Sequence, residues 1–392
     1  MKYIGVTGTN GKTSTVQFIY QMLTGMGRKA AVCGTLGLRY DGKCFDTGLT
    51  TPARNTLQFH IANMESVGVE YLVMEVSSHS LVQNRVQGIE FDVGIFTNLT
   101  QEHLDYHGDF KSYKEAKRKI LSMSKNMVIN IDDMVGEEFF HEFYKDYEAK
   151  IGEDGFEGEC ITLTTACDCA DVVATRIDSS LQGTEFLCDF LGTKAQVKIP
   201  VLGKFSVYNV MSAMAALRLL GFDFEDILAA LHSIEPVPGR AQILKLDQNF
   251  TVMIDYAHTP DALENLLSAM RDTHNGRIVT LFGCGGDRDR EKRPVMGEVV
   301  TNFSDYIYVT SDNPRTEDPV QIVTDILPAV CRSGKPYRVI INREEAIETA
   351  VRNSLPGDLL ILAGKGHEKY QIVGEEKNPF DEEKIVRKAL NF

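Results

Sequence analysis

The chain has 392 residues, 43% of them hydrophobic and 24% charged, the balance of a folded, water-soluble protein too long for one ordinary core, so two domains or three are expected. A formal net charge of −14 speaks against nucleic acid as the main partner, because a phosphate backbone needs a basic face. No apolar run approaches the length of a membrane span and the first residues lead straight into a strand, so neither membrane segment nor signal peptide is expected, and the protein is placed in the cytoplasm.

"YIGVTG" (3–8) reads as a strand, and Lys12 to Met26 as a helix with apolar residues at Val16, Ile19, Tyr20 and Leu23. Between them lies "GTNGKTST" (8–15), and a glycine-rich turn from strand to helix is a phosphate cradle. Gly8, Thr9, Asn10, Gly11, Lys12, Thr13 and Ser14 are its candidate residues. The glycines let backbone N–H groups face the phosphates, Lys12 reaches the terminal ones, and Thr13 offers its hydroxyl to magnesium. The spacing departs from the common pattern, since Val6 stands where its first glycine is expected.

"KAAVCG" (29–34), "EYLVMEV" (70–76), "DVGIFTNL" (92–99) and "NMVINIDD" (126–133) are further buried strands, with a charged helix over 111–124. Glu75 ends one of them, placed either as a magnesium ligand or as an exposed strand-end glutamate. Glu102, His103, Asp105 and His107 crowd one loop, a set open to zinc but better matched to magnesium beside a nucleotide. The eight cysteines include a cluster at Cys160, Cys167 and Cys169, yet no C-x-x-C pair or nearby histidine completes a zinc site, so all are read as thiols of a reduced compartment.

From about 150 to 200 the Thr- and Val-rich sequence suggests a meander of hairpins, followed by a helix in "SVYNVMSAMAALRLLGF" (206–222). "IEPVPGRAQIL" (234–244) is a hinge, dividing domains at 1–236 and 237–392. Beyond it "FTVMIDYA", "GRIVTLFGCGG", "SDYIYVTSDNPR", "PYRVIIN" and "DLLILAGKGHE" are strands, with helices near 259–272, 292–301, 318–332 and 343–354. Four of these strands run into polar loops, where open α/β sheets collect ligands. The fold class is α/β: a P-loop-type ATPase domain with a mainly parallel sheet, then a Rossmann-like α/β domain.

Eight strings in order, "GTNGKT", "TTP", "EVSSHSLVQNRV", "FTNLTQEHLDYHGDFKSYKEAK", "DYAHTPDALE", "FGCGGDRDREKRPVMG", "SDNPRTEDP" and "AGKGHEKYQ", resemble the Mur ligase family, and within it the branch of UDP-N-acetylmuramyl-tripeptide synthetases (MurE). The likeness runs from residue 5 to about 372. It implies an ATP-dependent ligase that phosphorylates a carboxylate and lets an amine attack the acyl phosphate, giving an amide, ADP and phosphate. It further implies two magnesium ions, one held by Thr13 and Glu75, the other by His103 and a CO2-derived carbamate on Lys117. On local grounds Lys117 belongs to a helix with five basic residues, most of which would be solvated. Thr50, Thr51, Ser78 and Arg85 match positions that touch a small-molecule or short-peptide carboxylate acceptor, and Asn209, Arg240, Asp255 and His258 match groups that reach ATP. Ser206 departs from the family's asparagine, and Ala241-Gln242 stand where the family often has a glutamate. Arg288, Asp312, Asn313, Arg315, Gly364 and Glu368 match the amino-acid site, and "DNPR" (312–315), otherwise a plausible turn, resembles the string that marks meso-diaminopimelate over lysine. Arg315 would clamp the distal carboxylate of that amine.

The family's N-terminal domain for the uridine nucleotide has no counterpart before Lys2-Tyr3-Ile4. The expectation is therefore that the acceptor lacks UDP, that a separate subunit supplies the domain, or that the sequence is an excised piece. The alternative function is a relative diverted to a non-UDP acceptor in natural-product or storage-peptide synthesis. A non-catalytic nucleotide-binding subunit is a third reading, against which the joint presence of Lys12, Thr13, Glu75, His103 and Lys117 counts.

Overall fold

The first apolar run becomes β1 (Lys2–Thr7), whose Ile4 and Val6 are fully buried between neighbours on both sides. A computed structural model describes residues 1–150 and 158–391, the side chains of 146–150 left aside. They fall into two units, Met1–Glu235 and Pro236–Phe392. In the first, β1 is followed by α1 (Lys12–Gly25), β2 (Ala30–Gly34), β3 (Gly37–Tyr40), β4 (Lys43–Phe45), α2 (Arg54–Ser66), β5 (Tyr71–Glu75) and α3 (Ser78–Val82). Next come β6 (Phe91–Phe96), α4 (Leu104–His107), α5 (Phe110–Met123), β7 (Ser124–Asn130) and α6 (Met134–Lys150). Strands β8 (Cys160–Thr164), β9 (Val172–Ser180), β10 (Gly183–Phe190) and β11 (Thr193–Ile199) precede α7 (Lys204–Leu219) and α8 (Phe224–Ala230).

These strands form one sheet in the order β11-β10-β9-β8-β7-β6-β1-β5-β2-β3-β4. From β9 to β2 neighbours run parallel, and antiparallel hairpins finish both ends. The expected meander is thus β9 to β11, whereas β8 joins the parallel series. Runs such as β2 and β5, buried at every residue, belong to a parallel sheet covered on both faces. The connection from β1 to β2 passes over β5, and that from β5 to β6 passes over β1. The crevice at the carboxyl end of β1 is therefore a topological switch point, where such sheets bind ligands.

Helix α5 is capped by the Asp109 side chain, which accepts from Ser112 N at 2.6 Å. Its buried face carries Tyr113, Ala116, Ile120 and Leu121, and Lys117 lies among them.

The second unit contains β12 (Gln242–Ile243), β13 (Thr251–Asp255), α9 (Pro260–Thr273), β14 (Ile278–Phe282), α10 (Lys292–Phe303), β15 (Tyr306–Val309) and α11 (Pro319–Arg332). It continues with β16 (Tyr337–Val339), α12 (Arg343–Arg352), β17 (Leu359–Ala363), the hairpin β18 (Tyr370–Val373) and β19 (Glu376–Pro379), and α13 (Glu382–Ala389). The sheet order is β12-β13-β17-β14-β15-β16, parallel except for β12. Val252, Ile254, Leu281, Leu360 and Leu362 of the sheet pack with Ala346, Ile347 and Val351 of α12. The strand ends of β14, β15 and β17, three neighbours, all open into the loops expected to carry chemistry.

One expectation is corrected: Cys167 and Cys169 form a disulfide, and the six remaining cysteines are free. A single intervening residue leaves their Cα atoms 5.5 Å apart, within reach of a bridge. Among the described residues no helix is long and apolar enough to cross a membrane.

Candidate active site

β1 ends at Thr7 and enters α1 through a loop that only glycine permits at two places. A Cβ on Gly8 would lie 1.9 Å from Thr97 Oγ1, and one on Gly11, at φ 86°, 2.5 Å from Asn209 Oδ1. Val6 is buried inside β1, so the turn itself is carried by Gly8 and the unusual spacing is accounted for. Residues following β6 brace the loop: Thr9 N donates to Asn98 O (2.8 Å), Asn10 N to Asn98 Oδ1 (2.9 Å), and Thr97 Oγ1 to Asn10 O (2.6 Å). Lys12 Nζ donates to the carbonyls of Gly8 (2.8 Å) and Thr9 (2.6 Å). Asn209, buried on α7, accepts from Thr15 Oγ1 at 3.3 Å, so the loop, α1 and α7 meet there. Ser14 lies half-buried in the first turn of α1.

Glu75 is 1% exposed, which removes the reading of an exposed strand-end carboxylate. Thr13 Oγ1 donates to its Oε2 (3.1 Å), as does Thr35 Oγ1 (3.1 Å), while Thr35 N donates to Oε1 (2.8 Å). Gly34 makes room for it, since a Cβ there would fall 2.2 Å from Oε1. Among the described residues no three His, Cys, Asp or Glu side chains are placed to hold a metal. A hydroxyl and a carboxylate at a phosphate loop are instead the hard donors that suit magnesium, which takes few protein ligands and keeps waters.

The acceptor candidates gather at the same strand end. Thr51 Oγ1 donates to Glu75 O (2.8 Å), Arg85 Nη1 donates to Thr51 O (2.9 Å), and Thr50 Oγ1 lies 3.3 Å from Thr35 Oγ1. Ser78 Oγ is 2.9 Å from His107 Nε2. His103, in the left-handed region at φ 57°, starts α4, and its ring lies 5.0 Å from His79 and 6.2 Å from Tyr113. Burial lowers the His103 pKa below its ordinary 6.5, against the opposing pull of Glu102.

Lys117 is not a solvated lysine. It is 1% exposed, and its Nζ donates to Gly8 O at 2.7 Å, the same carbonyl that Lys12 reaches. Burial first, and the Lys12 charge second, push its pKa well below the ordinary 10.5.

In the second unit Asp255 ends β13 and accepts from Ala241 N (2.5 Å) and Ala257 N (2.6 Å), its pKa raised by burial. The Arg240 guanidinium lies 4.7 Å over the Tyr256 ring, and His258 Nδ1 is 2.7 Å from Tyr256 O, so these three candidates surround Tyr256. Gln242, of the Ala241-Gln242 pair that follows Arg240, accepts from Gly239 N at 2.8 Å. Ser206, the other departure, donates to Leu202 O, just before α7, at 2.6 Å.

The amino-acid candidates sit beyond β14, β15 and β17. Arg315, at φ 52°, donates through Nη1 to Gly286 O (2.7 Å); burial and then the nearby Arg288 charge lower its pKa from 12.5. Asp312, Glu368 and Asp287 oppose that shift. Arg288 Nη1 donates to Asp287 O at 3.1 Å. Asn313 Nδ2 donates to Glu368 Oε2 (3.0 Å), and Gly364 backs onto Asp312, whose Cγ would lie 3.8 Å from an added Cβ. Sequence reasoning passed over Lys365, fully buried in this cluster, as well as Thr35 and Asn98. A polar residue just past a buried strand was the available signal for all three.

A strand, glycine loop and helix carrying Lys12 and Thr13, with Glu75 at the end of β5 against Thr13, form a phosphate-binding site of the P-loop type, in one chain with a second α/β unit that has its own polar strand ends. The chain belongs to the Mur ligase family: residues 6–217 match the Mur ligase middle domain and 239–366 the Mur ligase, glutamate ligase domain. Members of this family form amide bonds, and the chain is an enzyme of that class. It is similar to UDP-N-acetylmuramoyl-L-alanyl-D-glutamate–2,6-diaminopimelate ligase 1 of Clostridium acetobutylicum, 42% identical over 100% of this chain and 78% of that protein. The ligase of the same name from Bacillus cereus, without the numeral, is 40% identical over 99% of this chain and 77% of its own length. A solved structure of a UDP-N-acetylmuramoyl-L-alanyl-D-glutamate–2,6-diaminopimelate ligase superposes with a TM-score of 0.71 at 33% identity, covering 100% of this chain and 78% of that one.

Proposed function

We propose that this ligase joins 2,6-diaminopimelate to a carboxylate of a UDP-N-acetylmuramoyl-L-alanyl-D-glutamate acceptor at the expense of ATP, in the cytoplasm. The N-terminal unit takes ATP and acceptor, and the C-terminal unit takes the amino acid. The observation that carries the reading is the buried Lys117 amine set on the Gly8 carbonyl of a loop whose Thr13 is joined to Glu75.

A carboxylate is a poor electrophile because its leaving group would be oxide. Its oxygen therefore attacks the terminal phosphorus of ATP, ADP leaves, and the amine then attacks the acyl carbon with loss of phosphate and a proton. Lys12 holds the terminal phosphate, and the N–H groups of the Gly8–Gly11 loop hold its neighbours. Magnesium, when bound, neutralises phosphate charge, with Thr13 and Glu75 to hold one ion and His103 with a carbamate on Lys117 to hold a second. A carbamate forms when an uncharged amine attacks CO2 and loses one proton; the lowered pKa of Lys117 favours the uncharged form. In the C-terminal unit Arg315 and Arg288 take the distal carboxylate of the amine and Glu368 its ammonium.

The test is phosphate release with ATP and magnesium across a panel of amines and of acceptors with and without UDP. Turnover that requires diaminopimelate and the muramoyl dipeptide is expected. Turnover with neither, or with lysine as well as with diaminopimelate, overturns the assignment. The arm without UDP shows whether this polypeptide reads the nucleotide end itself or relies on another subunit to do so.

A further inference from the structure

We infer that Lys365 is a positioning residue for the amine substrate: its ammonium sets the orientation of Asn313 and Glu368 and leaves Glu368 Oε1 to accept from an incoming ammonium. This rests on the reading of the C-terminal unit as the amine site.

Lys365 follows Gly364 at the end of β17 and has no exposed surface. A buried ammonium persists only where partners replace its water. Here Nζ donates to Asn313 Oδ1 (3.0 Å) and Glu368 Oε2 (3.1 Å), and Asp312 Oδ1 lies 3.6 Å away. The two ends of an asparagine amide have the same shape, so only donors and acceptors decide which way it faces. Asn313 Oδ1 accepts from both Lys365 Nζ and Ile372 N (3.0 Å), which turns Nδ2 onto Glu368 Oε2 (3.0 Å).

Glu368 is thereby held through one oxygen. Oε2 takes two donors, whereas Oε1 takes only the Tyr370 hydroxyl at 3.3 Å and keeps capacity for another. Asp312 Oδ1 is buried with no hydrogen-bond partner, its nearest cation being Lys365. The Arg315 charge also acts on both Asp312 and Glu368. The open capacity of Glu368 Oε1 is what the cluster offers to the ammonium of an amino-acid substrate.

The experiment is steady-state kinetics of Lys365→Met and Lys365→Arg, with amine and ATP varied separately and thermal unfolding recorded alongside. The methionine variant should raise the KM for the amine by about tenfold or more and leave the KM for ATP within about twofold, because only the amine is read by the displaced groups. The arginine variant keeps the charge and should recover part of that loss. A purely structural lysine would lower kcat with the folded fraction and move neither KM; that result, or a rise in the ATP KM alone, overturns the inference. Should the methionine variant not fold, an unchanged amine KM in the arginine variant is sufficient to overturn it and a raised one supports it. The wild-type amine panel tests the substrate assignment separately: if another amine is preferred, the variants are read on that amine.

Discussion

Replacing Lys117 by methionine should separate stability from turnover. The side chain is 1% exposed and makes one hydrogen bond, to Gly8 O at 2.7 Å. That carbonyl keeps a partner in the variant, because Lys12 Nζ donates to it at 2.8 Å. Loss of the bond costs about 1 kcal/mol, and an apolar stem of similar length relieves the burial of an amine, so stability should stay within about 1 kcal/mol of wild type. For a chain of this size the unfolding midpoint should then move by no more than about 4 °C. Turnover should fall by roughly 100- to 1,000-fold, the range seen when one group that stabilises transferring charge is removed. ATP affinity should change little. Phosphate release, calorimetric titration with ATP and thermal unfolding together decide it, and short carboxylic acids should restore part of the activity of Lys117→Ala. A methionine variant that turns over within about threefold of wild type removes Lys117 from the chemistry. One that loses more than about 3 kcal/mol of stability makes it a structural residue instead.

Arg315→Ala should lower the preference for diaminopimelate over lysine, chiefly by weakening diaminopimelate, because a desolvated charge pair is worth roughly 2–5 kcal/mol; an unchanged ratio of specificity constants means the Asp312–Arg315 segment is only a turn. Gly34→Ala places a Cβ 2.2 Å from Glu75 Oε1 and should push that carboxylate off Thr13, raising the magnesium needed for half-maximal turnover by at least about tenfold; an unchanged magnesium titration would exclude Glu75 as a ligand. Glu317→Gln addresses the fully buried Arg293, which donates to Glu317 Oε1 (2.8 Å) and Oε2 (3.0 Å) and whose hydrogen bonds hold that carboxyl below its ordinary 4.5. Since the folded value is the lower one, the stabilisation is complete above 4.5 and is lost as pH falls through the folded value. Urea unfolding should therefore show a deficit of roughly 1.5–3 kcal/mol at neutral pH that closes in acid, and a deficit independent of pH would refute the ion-pair origin.

The phosphate loop was legible because it is local: Gly8 to Thr13 lie together in sequence between a strand and a helix. The burial of Glu75 and Lys117 was not legible from their neighbours in sequence, since each carries an ordinary exposed alternative. For Lys117 a physical signal existed nonetheless. Tyr113, Ala116, Ile120 and Leu121 mark the buried stripe of α5, and Lys117 falls inside that stripe rather than among the exposed lysines. The elements that went unread have weak patterns. β3 and β4 are four and three residues long, and α2 buries only Leu57, His60 and Met64, too thin a stripe for periodicity to reveal. In each unit by itself, the braces, Asn98 on the phosphate loop and Lys365 on Asn313, come from strand-end loops, where polar residues are ordinary and only tertiary contact separates a strut from a turn.

The central place of β1 has a consequence for biosynthesis. Ile4 pairs with Val73 on one side and Val93 on the other, so β1 leaves the ribosome before both of its partners and waits for strands encoded far downstream. At roughly 5–20 residues per second this leaves a two-edged apolar strand unpaired for on the order of 5–20 s. The phosphate loop gains its Thr97 and Asn98 braces only at the end of that interval, and Asn209 later still. A nascent chain therefore has no complete nucleotide cradle until α7, which carries Asn209, has been made.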